Sequence, residues 1–178
     1  LVKKIIKTYG PNAVDILTYK YDGNKIVSKT WDGGAITYYT YTGDLITKIE
    51  TKVANNMLGS SYEYTYLNCK VAKVVEKENG ETDSRTYNAN GTVSYIRTRT
   101  GSQNTTGLLT FENGNLVKNE EGTSIYIFGY DTKNNPFKNV LGFNLLFDTN
   151  EDTYSQNNMT QDGRGGDGST DHYTFKYD

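Results

Sequence analysis

The chain has 178 residues, 35% of them hydrophobic, and a net charge of -2. That length supports one domain, residues 1–178, with a real core, and the balanced, evenly spread charge leaves no footprint for a nucleic-acid backbone. The single cysteine, Cys69, excludes an internal disulfide and a cysteine metal cage, and no run reaches the roughly 18 apolar residues of a membrane-spanning helix.

The chain opens in a strand, with Val2, Lys4 and Ile6 on one face and Lys3, Ile5 and Lys7 on the other. A start inside a strand, without a charged-then-apolar leader, suggests a domain from which a leader has been removed. Then comes a repeated unit: an aromatic-x-aromatic pair, a short turn, and a stretch rich in Lys and aliphatics. The clearest copies are Tyr19-Lys20-Tyr21 with Asp22-Gly23-Asn24, Tyr39-Thr40-Tyr41 with Thr42-Gly43-Asp44, and Tyr64-Thr65-Tyr66 with Leu67-Asn68-Cys69. Weaker copies are Tyr87 with Asn90-Gly91, Phe111 with Asn113-Gly114, Phe128-Gly129-Tyr130 with Asn134-Asn135, and the final Phe175-Lys176-Tyr177. Side chains alternate across a strand, so each pair puts both rings on one face. The Asp-Gly, Gly-Asp and Asn-Gly pairs supply the positive φ of tight hairpin loops.

Two segments break the pattern. From Asn135-Pro136-Phe137 to Phe147, the spacing of Phe137, Val140, Leu141 and Leu145 predicts a short helix, with Asn135 as its cap and Pro136 at its first position. A buried strand from Phe143 to Phe147 is the competing reading. From Asp148 to Thr170 the chain is polar and ends in a glycine-aspartate run, which predicts an exposed, mobile loop.

Successive hairpins repeating at about 20 to 25 residues predict one antiparallel meander of about thirteen strands. A twisted sheet of that size curls or closes. The expected fold is therefore all-β: a closed or nearly closed soluble barrel with its aromatic face inward, one short helix plugging an end, and the last strand closing against the one beginning at Val2. Strands of about 6 to 8 residues are shorter than membrane-barrel strands, and charge on the Thr/Lys/Glu face argues against a lipid-facing band.

Tyr19 to Ile26, Tyr130 to Phe137 and the final Phe175-Lys176-Tyr177-Asp178 resemble the hairpin repeats of Bacteroidetes extracytoplasmic lipoproteins of unknown function, some porin-like in fold. They are similar, more loosely, to the tyrosine-aspartate repeats of Rhs proteins. The resemblance spans nearly the whole chain. It implies a repeat fold, a cell-envelope address in the periplasm or at the cell surface, and a lipid anchor on a removed leader. Leu67-Asn68-Cys69 departs from the glycine turn of the pattern, and no lipid-accepting cysteine stands near Leu1.

No catalytic constellation emerges. His172 is the only histidine, and Asp171 beside it points to the opposite face, so it reads as a plain strand residue. Cys69 sits in a turn next to Lys70, without the helix N-terminus that would activate a thiol. Asp162, Asp167 and Asp171, with Glu151 and Asp152, offer oxygens to calcium, but their spacing matches no calcium loop and reads as a solvated glycine-rich segment. The tyrosine stripe reads as core, and Lys25, Lys29, Lys48, Lys52, Lys73 and Lys77 read as solvent-facing. No catalytic, metal or cofactor residue is assigned, and the ligand-binding residues stay open. The leading reading is a non-catalytic extracytoplasmic module whose partner is an envelope protein or a glycan. A barrel-type carrier of an apolar or glycan ligand is the alternative, and a hydrolase using carboxylates the third.

Overall fold

The computed structural model of the chain describes residues 1–10, 13–146, 155–165 and 170–176. They form one 14-stranded antiparallel sheet whose strands succeed one another in chain order, where turn spacing predicts about thirteen. After β1 (Lys4–Thr8) come β2 (Val14–Asp22) and β3 (Lys25–Trp31), β4 (Ile36–Thr42) and β5 (Leu45–Lys52), and β6 (Leu58–Leu67) and β7 (Lys70–Glu76). The second half holds β8 (Glu81–Tyr87), β9 (Val93–Thr98), β10 (Thr105–Glu112), β11 (Asn115–Glu121), β12 (Ser124–Asn134), β13 (Asn157–Gly165) and β14 (Thr170–His172). The all-β meander is as expected, and among the described residues the ladder runs from β1 to β14 without joining its ends. The two strands at its ends are short, with five residues in β1 and three in β14.

Four of the hairpins share one construction. Gly23, Gly43, Asn68 and Asn113 open their two-residue turns with positive φ, and such primed turns match the right-handed twist of the flanking strands. A bulge comes after each turn. Lys20 pairs with Ser28 but Tyr21 with Ile26, leaving Val27 extra, and Thr47, Ala72 and Val117 are extra in the same way. The residue before each bulge is sequestered: Ile26, Ile46 and Val71 are fully buried, and Leu116 nearly so.

The bulge also reverses the faces of the residues beyond it. Lys29 therefore sits on the core side, opposite Tyr19, and is buried with its ammonium 5.1 Å from the Trp31 ring centroid. Unbroken alternation places it in solvent, and that expectation is corrected. Lys48 keeps the outward position beside Glu50, at 2.9 Å.

Tyrosine hydroxyls lock each unit to the one before. Tyr66 donates to the Ile46 carbonyl (2.7 Å), Tyr87 to Val71 (3.1 Å) and Tyr130 to Leu116 (2.6 Å), while Tyr41 accepts from the Ile26 amide (3.2 Å). The second ring of each pair thus fastens onto the pre-bulge residue of the preceding hairpin, which fixes register where rings alone would slide.

The aromatic face is the buried one, as expected. Leu17, Tyr19, Ile26, Tyr39, Ile46, Tyr64, Val71 and Val74 form the larger core, capped by Phe137, Val140, Phe143 and Leu146. Phe137 meets Tyr19 at 5.1 Å between centroids, and Phe143 meets Tyr39 at 5.8 Å. The covering segment is not the helix expected there. Its turns close i to i+3, from Asn135 to Lys138, Phe137 to Val140, and Val140 to Phe143, and Phe143–Leu145 is one turn of 3-10 helix. Three residues per turn align residues 137, 140, 143 and 146 on one side. Leu141 faces out instead, and its amide reaches the Asn24 carbonyl at 2.9 Å. Gly142, at φ 73, stops regular helix there. Asn135 caps no helix; its side chain accepts the Phe137 amide at 2.8 Å and opens a local turn instead.

The polar segment expected to be a mobile loop contains β13, and that expectation is corrected too. Asp131 accepts from the Asn158 amide (3.3 Å) and side chain (3.0 Å), and Asn115 exchanges hydrogen bonds with Asn157. Side-chain amides order this strand in place of apolar alternation. Residues 148–154 and 166–169 of that segment lie outside the described residues.

Candidate functional site: a charged cleft over the second half of the sheet

A smaller core of Val93, Tyr95, Leu109 and Leu116 serves the second half of the sheet. Beside it lies a partly enclosed cavity of about 610 Å³, walled by residues from Tyr62 on β6 to Asp171 on β14.

Strand alternation builds its floor. Asp83 pairs with Arg97 and Arg85 with Tyr95 across β8 and β9, so Glu81, Asp83, Arg85, Tyr95 and Arg97 all project from one face. Arg97 is the hub. Its Nη1 meets Glu121 at 2.5 Å, its Nε lies 3.2 Å from Glu81, and its Nη2 lies 3.9 Å from Asp83. Burial works against its charge, but Glu121, Tyr95, Asp83 and Glu81 together outweigh that and hold its pKa above the ordinary value. Arg85 contacts Asp83 through both Nε and Nη2, at 3.4 Å each.

Under Arg97 lies the buried Tyr95 ring, its centroid 5.4 Å from the guanidinium carbon. The ring lies across Gly107, its partner on β10, where any Cβ would overlap Cε1, Cζ and the hydroxyl. A glycine inside a strand often marks such a close approach. The Tyr95 hydroxyl donates to Asn119 at 3.0 Å, and burial pushes its pKa up. Gly107, Tyr95 and Asn119 thus set the position of Arg97 from below.

Tyr62 donates to Glu76 at 3.2 Å on the far wall. On the near wall Arg164 lies 5.9 Å from the Tyr126 ring centroid and donates to Ser124 at 2.8 Å. Asp162 and Asp171 stand directly opposite each other on β13 and β14, and Tyr173 donates to Asp162 at 3.1 Å.

Of the residues weighed in the sequence, Asp162 and Asp171 come together at the rim. Asp167, Glu151 and Asp152 lie outside the described residues. His172 is exposed opposite Gln161, and Cys69 is exposed in its turn at φ 60. Among the described residues no group of three or more His, Cys, Asp or Glu side chains is placed to hold a metal ion, and no helix is long and apolar enough to cross a membrane. The hub itself went unread, although Glu81-x-Asp83-x-Arg85 and Tyr95-x-Arg97 carry its signature: charge at period two beside an aromatic. Neither the protein-family models nor the curated proteins include a match to this chain.

Proposed function

We propose that the chain is a non-catalytic binding module of the cell envelope, working outside the cytoplasm, and that its nearly closed, barrel-like sheet holds a glycan in the charged cleft. The observation that carries this reading is the Arg97 hub: a cavity of about 610 Å³ whose floor is made of mutually paired guanidinium and carboxylate groups. A few fixed polar groups beside apolar rings are the usual makings of a small-molecule site. Sugar hydroxyls both donate and accept, so they can join such a network without leaving a charge unpaired, while Tyr62, Tyr126 and Phe128 offer ring surface to a sugar's apolar face.

Charge in the cavity favours a glycan over an apolar ligand, which would strip water from those groups without replacing it. The hydrolase reading is the weaker one. Glycoside hydrolysis needs open space between two carboxyl groups about 5 to 9.5 Å apart, whereas Arg97 stands between Glu81 and Glu121, and Asp162 and Asp171 sit side by side on adjacent strands. The envelope address, and a lipid anchor preceding the chain, rest on the resemblance of the repeats.

The test is an array of neutral, amino and uronic-acid oligosaccharides probed with the intact chain, then titration calorimetry on any hit. Saturable binding that is lost in Tyr126→Ala supports the reading. An array without hits, or a hit that Tyr126→Ala binds equally well, overturns it. Fractionation of the source cells tests the address, which a purely cytosolic chain refutes.

A further inference from the structure

The charges that line the cleft do not balance. Glu76, Glu81, Asp83, Glu121, Asp162 and Asp171 share it with only three guanidiniums, those of Arg85, Arg97 and Arg164. Two of the three are committed to acids on the floor: Arg97 meets Glu81, Asp83 and Glu121, and Arg85 meets Asp83. The third, Arg164, turns to the Ser124 hydroxyl and the Tyr126 ring. Glu76 accepts from Tyr62 and Asn79, and Asp162 from Tyr173, all neutral donors. Among the described residues, then, Glu76, Asp162 and Asp171 carry charge that no cation of the chain offsets.

The two aspartates are the sharper case. Asp162 and Asp171 occupy directly opposed positions on β13 and β14, and Phe128 stands opposite Asp162 on β12. Opposed side chains on one face start about 4.5 to 5.5 Å apart, and like charges there repel. A cation between them removes that repulsion, with the Phe128 ring alongside. Two carboxylates fall short of the roughly six to eight oxygens that calcium takes, and among the described residues no third acidic, His or Cys side chain completes a metal group with them. An ammonium group, a compact charge with hydrogens to donate, suits two carboxylates.

We propose that the glycan held in the cleft is an amino sugar whose ammonium group sits between Asp162 and Asp171. This rests on the glycan reading of the cleft and adds the sign of the ligand's charge. A uronic acid brings one more carboxylate to a cleft whose floor arginines are already taken. A lysine side chain offers the same ammonium, but its aliphatic stem strips water from the Arg97 network without replacing it, whereas sugar hydroxyls do replace it.

The test is calorimetry on the intact chain, at a mildly acidic pH that keeps sugar amines protonated. The probes are a β-1,4-linked glucosamine trimer, its N-acetylated form, which keeps the rings and loses the charge, a uronic-acid trimer, and trilysine. The glucosamine trimer is expected to bind about tenfold more tightly than the N-acetylated one, the scale of one or two partly exposed ion pairs, and added salt should shrink that preference. Asp162→Asn with Asp171→Asn should abolish the preference and, because it removes a repulsion, keep the melting temperature. Asp22→Asn, exposed in the first hairpin, should leave the preference as in the wild type. Equal binding of the two trimers, tighter binding of the uronic-acid trimer, or a preference that the double variant retains overturns the amino-sugar assignment and leaves the glycan reading standing. Trilysine binding as tightly as the glucosamine trimer also overturns it, since charge alone is then recognised. If no saccharide binds, the glycan reading falls and the assignment with it.

Discussion

Gly107→Ala is the sharpest test of how the cleft is built. A methyl group at this position overlaps the Tyr95 ring over three atoms, and the ring is buried. It cannot slide along the strand, because the hydroxyl is bonded to Asn119 at 3.0 Å and Arg97 lies 5.4 Å from the ring centre. Either the ring swings out or β9 and β10 separate. Overpacking of this kind costs about 1 to 3 kcal/mol, and stranding the buried Asn119 oxygen costs about 1 to 3 more. Replacing glycine inside a strand returns roughly 0.5 to 1 kcal/mol of backbone entropy, which leaves a net loss of about 1 to 5 kcal/mol, centred near 3. For a chain of this length that lowers the melting temperature by roughly 5 to 15 °C.

The assay is thermal unfolding monitored by circular dichroism, with Gly33→Ala as the control. Gly33 has nothing within 4 Å of its would-be Cβ, and its φ is not positive, so its substitution should be neutral. In a Tyr95→Leu background the Gly107→Ala penalty should largely disappear, the mark of two coupled neighbours. A Gly107→Ala protein that melts with the wild type, or an undiminished penalty in the double variant, would falsify the stacked arrangement.

Three further perturbations probe other levels of the fold. Cys69→Gly relieves a non-glycine residue at φ 60 in a two-residue turn; left-handed backbone costs a side-chain-bearing residue about 1 to 2 kcal/mol, so after the entropy of the added glycine the stability measured by chemical denaturation should rise by about 1 kcal/mol. Arg97→Met leaves Glu81, Asp83 and Glu121 facing one another. A fully buried pair costs about 3 to 5 kcal/mol to break, and since the Arg97 side chain is 31% exposed the chemical-denaturation loss should be about 1 to 3, with Arg97→Lys recovering part of it. Burial raises Tyr21, Tyr41 and Tyr66 from 10.0 to about 12. Above pH 10 the unfolded chain releases protons that the folded one retains, so this stabilisation is complete below 10 and lost as pH climbs through 12. Alkaline unfolding should coincide with phenolate absorbance inside that window, and a melt that is flat across it sinks the reading.

The aromatic rows and the turns were legible because each is a local signal: a period of two fixes which face a ring takes, and a glycine or asparagine fixes φ. The bulge is not local. Nothing within Lys25-Ile26-Val27-Ser28-Lys29 says that Val27 goes unpaired; only Tyr21 opposite Ile26, together with the next tyrosine reaching back to that residue, requires it. Once the bulge is known, the Lys29 position becomes predictable, and so do Ile49, Val74 and Asn119 at the same place in later hairpins. The covering segment misled for a related reason. From Phe137, Val140 fits a spacing of three and Leu141 a spacing of four, and the sheet beneath, with Gly142 placed close to the Asp44 carbonyl, selects three. β13 had no apolar period to read, since its order comes from Asp131 on β12 and Asn115 on β11, far from it in sequence. The cleft arises from the same economy. Rings of the first half are sealed by residues 137 to 146, whereas the second half alternates Glu, Asp and Arg on the face that would otherwise be core. Charge there is compatible with folding only because Arg97 collects three carboxylates. A sheet that needed this surface solely for stability would gain more from aliphatics, so the retained charge points to a surface kept for contact with something else.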